Sequence, residues 1–256
     1  MTIAGRLRSL ANYCLGPFDL TLERRSHVLG WQQRYVLRPS LFERALAGKP
    51  APTVIDIGAS IGSTVAEILA VRPDATVFAF EPRPDGMARM RERFRGNSRV
   101  HLYECGVGST SGRMQLHVLN NRAGSSLLPL SEWGRDLAAR AQAWEQSVVE
   151  VEVVTLDEWY RALDPPPEAI DLIKIDTQGF EKHVIAGGGQ VLERAAFVIM
   201  EAVLQAAHKD QAVYDELIPS MRRLGYVVEA VSAGYCMRDH GDLLEVDVLL
   251  RRDTPA

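Results

Sequence analysis

Four apolar, β-rich runs of this chain each carry an acid at or next to their end: Asp56 in TVIDI, Glu81 after TVFAF, Asp176 in IDLIKID and Glu201 in AFVIME. A carboxylate where a strand gives way to a loop can hold a cation, accept the hydroxyls of a ribose, or take a proton from a reacting group. Lys174 stands two residues before Asp176 on the same strand face, where it can neutralise part of the repulsion between two acids. After Asp56 comes Gly58-Ala59-Ser60-Ile61-Gly62, a turn whose glycines let a ligand approach the backbone. A dinucleotide would ask for G-x-G-x-x-G, and Asp56 would repel its pyrophosphate. A ligand bearing an ammonium and a sulfonium reverses that objection, and S-adenosylmethionine is such a ligand.

The elements that must place these acids follow from periodicity. From Thr53 onward, short apolar runs alternate with helical stretches: TVIDI then GSTVAEILAV, TVFAF then PDGMARMRERF, and RVHLYE. That order predicts βαβ units and a parallel sheet, with the strand-end loops gathered at one edge. Glu81 and Pro82 then sit at the second strand end, where a carboxylate can accept both ribose hydroxyls. Gly106 and Val107, after the third strand, offer backbone to an adenine edge. The polar stretch at Asn120, Asn121, Ser125 and Ser126 is placed to cover the crevice and touch an acceptor. SEWGRDLAARAQAWEQ reads as one helix. SVVEVEVVTL alternates valine with glutamate, which predicts one wet face and hence an edge position or a hairpin rather than the sheet centre. IDLIKID, a helix ended by Gly187-Gly188-Gly189, AFVIMEAV, a helix from Val213 to Leu224 and two last strands complete the pattern.

With 33 acidic against 29 basic residues, the chain has a net charge of -4 and no basic face, so nucleic acid is not an expected partner. Cys14, Cys105 and Cys236 are far apart and form no CxxC pair, which suits free thiols in a reducing cytoplasm. The apolar runs of residues 1–30 are too short for a membrane span or a signal segment, although the basic start MTIAGRLRSLANYCLG could rest on a membrane surface or pack as a helix. Residues 1–50 read as a helical cap or extension and residues 51–256 as the catalytic domain; whether the chain pairs into a dimer is left open.

IDLIKIDTQGFE, with VIDIGASIGST, FAFEP, ECGVGSTSG, VVTLDEW and VIME in the same order, resembles the FkbM family of S-adenosylmethionine-dependent methyltransferases over roughly residues 50–250. The resemblance implies a class I methyltransferase, Rossmann-like α/β fold: a seven-stranded, mostly parallel sheet with helices on both faces and an antiparallel last strand. It also implies methylation of a hydroxyl on a sugar, polyketide, peptide or other natural product. Carried onto this chain, Asp56, Gly58, Ala59, Ser60 and Gly62 would frame the methionine and ribose of the cofactor, Glu81 and Pro82 the ribose, Gly106 and Val107 the adenine, with Asp176 beside the methyl group. Many members have a glutamate in the turn where this chain has Thr177-Gln178-Gly179, which removes one candidate carboxylate.

An aliphatic hydroxyl needs a positioned base or a metal before it attacks. Asp176, Glu201 and Lys174 are the candidate catalytic groups, with Asn120, Ser125 and Ser126 as candidate acceptor contacts and His183 and His208 as lesser candidate bases. Two carboxylates could hold one Mg²⁺, but no third acid follows either of them, and metal-free base catalysis is the expectation. Three other readings compete. An N-methyl acceptor would need less of a base. A catalytically silent binding protein would not require Asp56, Glu81 and Asp176 together. A short-chain dehydrogenase would share the GASIG turn, but no tyrosine is followed four residues later by lysine.

Overall fold

The computed structural model of the protein describes residues 40–120, 124–234 and 243–253. The basic N-terminal stretch, Cys14, Asn121 and Cys236 lie outside the described residues. A short helix α1 (Leu41–Leu46), capped by Ser40 and Glu43 in a reciprocal capping box, precedes the sheet. Then come β1 (Thr53–Ile57), α2 (Ser63–Val71), β2 (Thr76–Phe80), α3 (Pro84–Arg93) and β3 (Val100–Tyr103). A side excursion follows through β4 (Gly106–Val107), β5 (Gly112–Leu119), α4 (Glu132–Arg140), β6 (Glu145–Val154) and α5 (Leu156–Arg161). The chain returns with β7 (Ile170–Ile175), α6 (Glu181–Gly187), α7 (Gly189–Leu192), β8 (Ala195–Val203), α8 (Tyr214–Arg223), β9 (Tyr226–Ala233) and β10 (Glu245–Arg252).

The main sheet has the order β3-β2-β1-β7-β8-β10-β9. Its first five strands are parallel and β10 is antiparallel to both β8 and β9. Both faces are covered, which is why β1, β2 and β7 are nearly continuous apolar runs. On one face Ile55, Phe80, Ile173 and Met200 pack with Val184 of α6, Leu192 of α7 and Met221 of α8. On the other, Val54, Val77, Leu172 and Ile199 pack with Leu46 of α1, Ile68 of α2 and Met90 of α3. This is the sheet order and strand direction of the class I methyltransferase fold.

Two local expectations change. The stretch read as one helix from Ser131 to Gln146 is helical only over Glu132–Arg140. Gln142 takes a left-handed φ of 54°, and Asn120 grips the following turn by donating to the Gln142 carbonyl and accepting from Trp144 N. The chain is thereby drawn into β6 before another helical turn can form. The valine-glutamate strand does keep a wet face, but it is not an edge: it is the middle strand of a separate sheet of order β4-β6-β5, antiparallel to β5 and parallel to β4. Val151 and Val153 point inward with Leu116, Leu127 and Phe180.

Candidate active site

Strand order reverses direction between β1 and β7, and there the loops leave a crevice at the carboxyl edge. The turn after β1 is pinned on both sides: Gly58 N and Ala59 N donate to the Phe80 carbonyl, and Asp176 N donates to the Ile57 carbonyl. Gly58 has φ 88°, and a Cβ there would lie 1.8 Å from the Asp176 backbone oxygen. The turn can therefore touch β7 only because that residue is glycine. A cleft of about 430 Å³ opens above it.

The cleft is lined by Gly58, Ser60, Glu81, Pro82, Gly106 and Val107, and also by Ser125, Ser126, Asp176 and Glu201. Glu81, only 4% exposed, accepts Ser60 N at 2.7 Å and Arg83 N at 2.8 Å. Burial pushes its carboxyl up to about 7 in spite of those two donors. Ser125 is held as a loop anchor: its hydroxyl accepts Arg83 Nη1 and Leu119 N, both at 3.0 Å. Ser126 pairs its backbone with His117 and caps Leu128 N with its hydroxyl. His208 also lines the cleft and is kept neutral by burial, which lowers its pKa. Cys105 lines it as a thiol whose pKa burial pushes up to about 11.

Other candidates stand behind or outside this wall. Asp56 is 1% exposed, faces Ala79 and Lys174 in register, and leaves Oδ2 buried without a hydrogen-bond partner. Burial raises its carboxyl to about 7, with Lys174 opposing and Asp176 and Glu81 adding to the rise. Lys174 is buried too, and its Nζ donates to Asp176 Oδ2 at 2.8 Å. Burial lowers its pKa, but Asp176, Asp247 and Glu201 outweigh that and hold it above its ordinary value. Ala59 packs into the core beneath α2. Gly62 turns away from the cleft: with φ 78° it caps α2, and Phe94 and Met90 fill the space beside it. Asn120 does not line the cleft, its side-chain amide being bonded to the turn at Gln142 and Trp144. His183 stacks on Phe180 outside it.

Gln178 is the residue that sequence reasoning passed over. It adopts a left-handed φ of 53°, and its Nε2 donates at 2.9 Å both to Asp176 Oδ1 and to Glu201 Oε1. The turn carrying it is locked by Glu181 Oε1, which accepts Thr177 N, Thr177 Oγ1 and Gly179 N. Only the Gly179 that follows, a glycine allowing the turn, hinted at this geometry. Arg83 was missed as well; its guanidinium ties the second strand end to both Asp85 and Ser125.

Residues 56–228 match the Methyltransferase FkbM domain. The chain belongs to the FkbM methyltransferase family. It is 31% identical over 211 residues to the 2-O-methyltransferase NoeI of Sinorhizobium fredii, covering 81% of this chain and 82% of that one. It is 30% identical over 155 residues to the methyltransferase sdnD of Sordaria araneosa, covering 53% of this chain and 60% of that one. The methyl donor of this family is S-adenosylmethionine, and the crevice suits it on its own terms. Asp56 Oδ2 is a buried acceptor that lacks a donor. Asp56, Asp176, Glu201 and Asp247 surround the one ammonium of Lys174, so carboxyl groups outnumber the cation there and a bound cation would favour their ionised forms. Glu81 keeps a second lone pair on each oxygen for ribose hydroxyls. When bound, the cofactor would supply a methyl group on a positive sulfur, and these are the residues that would hold and orient it.

Proposed function

We propose that the protein transfers the methyl group of S-adenosylmethionine to a hydroxyl of a small molecule that carries an apolar portion. The observation that carries this reading is the pair Asp176 and Glu201, held together on the wall of the cleft at the β1/β7 switch point. The reaction is an in-line displacement, so the protein's tasks are alignment and removal of one proton. A carboxylate pair beside the transferring methyl group serves the second task, and Lys174 with Gln178 supplies the positive charge and the donors that allow two acids to stand there without a metal. Leu116, Leu119, Leu127, Trp133, Leu137 and Leu244 also line the cleft, so an acceptor with an apolar portion meets apolar surface there. The relative named a 2-O-methyltransferase supports a hydroxyl as the acceptor.

The test is methyl transfer from labelled S-adenosylmethionine to methyl β-glucoside, hexyl β-glucoside and a hydroxylated macrolactone, before and after exhaustive EDTA treatment. The expected outcome is transfer to oxygen, faster with the two acceptors that carry apolar groups, and unaffected by EDTA. Transfer only to amines would overturn the hydroxyl reading. Activity that disappears with EDTA and returns with Mg²⁺ would overturn the metal-free one.

A further inference from the structure

Asp176 and Glu201 are both acids on the cleft wall, yet their oxygens are used differently. Each oxygen of Asp176 already accepts a donor: Oδ2 accepts Lys174 Nζ at 2.8 Å and Oδ1 accepts Gln178 Nε2 at 2.9 Å. Glu201 gives only Oε1 to Gln178, and Oε2 takes no hydrogen bond from the described residues. Gln178 carries two N–H bonds on one nitrogen and points one at each acid. Its orientation is fixed from below, because Glu181 gathers three donors of the same turn.

We propose that Glu201 is the base that takes the acceptor's proton, that Asp176 remains ionised beside it, and that Gln178 is the positioning residue that joins the two. This rests on the methyl transfer to a hydroxyl proposed above. In the step, the acceptor oxygen forms its bond to the methyl carbon, the C–S electron pair returns to sulfur to leave a neutral thioether, and the hydroxyl proton passes to Glu201 Oε2. The charges around the pair favour this division. Burial and the Asp176 charge push Glu201 well above the usual carboxylate range, with Glu245 from β10 and Glu181 from α6 adding to the rise and Lys174 opposing it, while Asp247 of β10 is its partner in register. Burial raises Asp176 too, but Lys174 and Gln178 outweigh burial and hold it below its ordinary value. A base with raised proton affinity is the better proton acceptor, provided that the pH is high enough to ionise it.

Two measurements separate this assignment from the reading beneath it. The first needs no acceptor: a carbon-13 NMR pH titration of protein labelled at glutamate Cδ, with the Glu201 signal identified by its loss in the near-isosteric Glu201→Gln. Glu201 is expected to titrate above the ordinary glutamate range, to move down in Asp176→Asn, where a neighbouring charge is lost, and to move up in Gln178→Leu, where a donor to the ionised form is lost. An ordinary titration, or one that neither variant moves, overturns the proposal whatever the acceptor is. The second is the pH profile of kcat with hexyl β-glucoside at saturating cofactor. Glu201→Gln is expected to lower kcat by at least about 100-fold. Gln178→Leu is expected to shift the acid limb to higher pH, with the KM for S-adenosylmethionine unchanged. Wild-type kcat in Glu201→Gln overturns the assignment of the base, and an unmoved limb in Gln178→Leu overturns that residue's part. If hexyl β-glucoside is not methylated at all, the acceptor reading fails and the titration alone decides this one.

Discussion

Both oxygens of Glu81 already accept a backbone N–H, from Ser60 and from Arg83, and the side chain is nearly enclosed. A carboxylate so constrained has one direction left for its remaining lone pairs, into the cleft, where ribose hydroxyls would arrive as charge-assisted donors. Losing a bond of that kind costs about 1.5–3 kcal/mol, so Glu81→Ala should weaken S-adenosylmethionine about 10- to 100-fold by calorimetry. The same side chain and Asp56 make the affinity depend on pH. Both carboxyls are raised to about 7, first by burial, and only their ionised forms attract a cation. Affinity should therefore rise between about pH 6 and about pH 7.5, and Asp56→Asn should flatten that slope. A titration showing tighter binding at the lower pH would reject this role for the acids. These acids were legible in the sequence because a carboxylate ending an apolar run has few structural uses. Gln178 was not, because its importance comes from a left-handed turn that no pattern of side chains displays.

Among the elements, the β1 turn and the end of β7 approach each other main chain to main chain. With φ 88° and 1.8 Å from a would-be Cβ to the Asp176 carbonyl, Gly58→Ala brings both a strained φ and a collision with main chain. The φ alone costs about 1–3 kcal/mol. In a domain of this size each kcal/mol is worth about 2–4 °C, so the melting temperature should drop by several degrees and cofactor binding should fail with it. A Gly58→Ala variant that melts as the wild type does would mean that the two loops are free to separate. The strand-helix alternation made β1, β2, β7 and β8 readable, since burial on both faces leaves few polar residues to confuse the period. It misplaced the end of α4, because Ala139 to Trp144 has helical composition while a distant residue, Asn120, decides its course. The three-stranded sheet was legible only as one wet-faced strand; its pairing joins segments that sequence spacing does not connect.

At the scale of the whole molecule, the parallel sheet sends its charged strand ends to one edge and leaves two apolar cores on its faces. That arrangement was foreseeable from the order of apolar runs, and the antiparallel β10 came from the family resemblance rather than from periodicity. Its thermodynamic consequence is a cofactor-free protein that holds more protons than its unfolded chain near neutrality. Asp56 and Glu81 have folded values of about 7, above their ordinary 3.8 and 4.5, and Glu201 is raised as well. A carboxyl whose pKa is raised on folding contributes stability below its unfolded value and loses it as the pH climbs through the folded one. His208 acts oppositely, being lowered by burial, so its cost appears only as the pH falls below about 6.5. Between about pH 6.5 and about pH 8 the acids govern, and the melting temperature of the cofactor-free protein should fall as the pH rises. S-adenosylmethionine binds the ionised crevice better, so a fixed concentration should raise the melting temperature more at the upper end of that window than at the lower. Thermal melts at both pH values, with and without the cofactor, measure all four quantities. A cofactor shift that shrinks toward high pH would show that the buried acids are not what receives its positive charge.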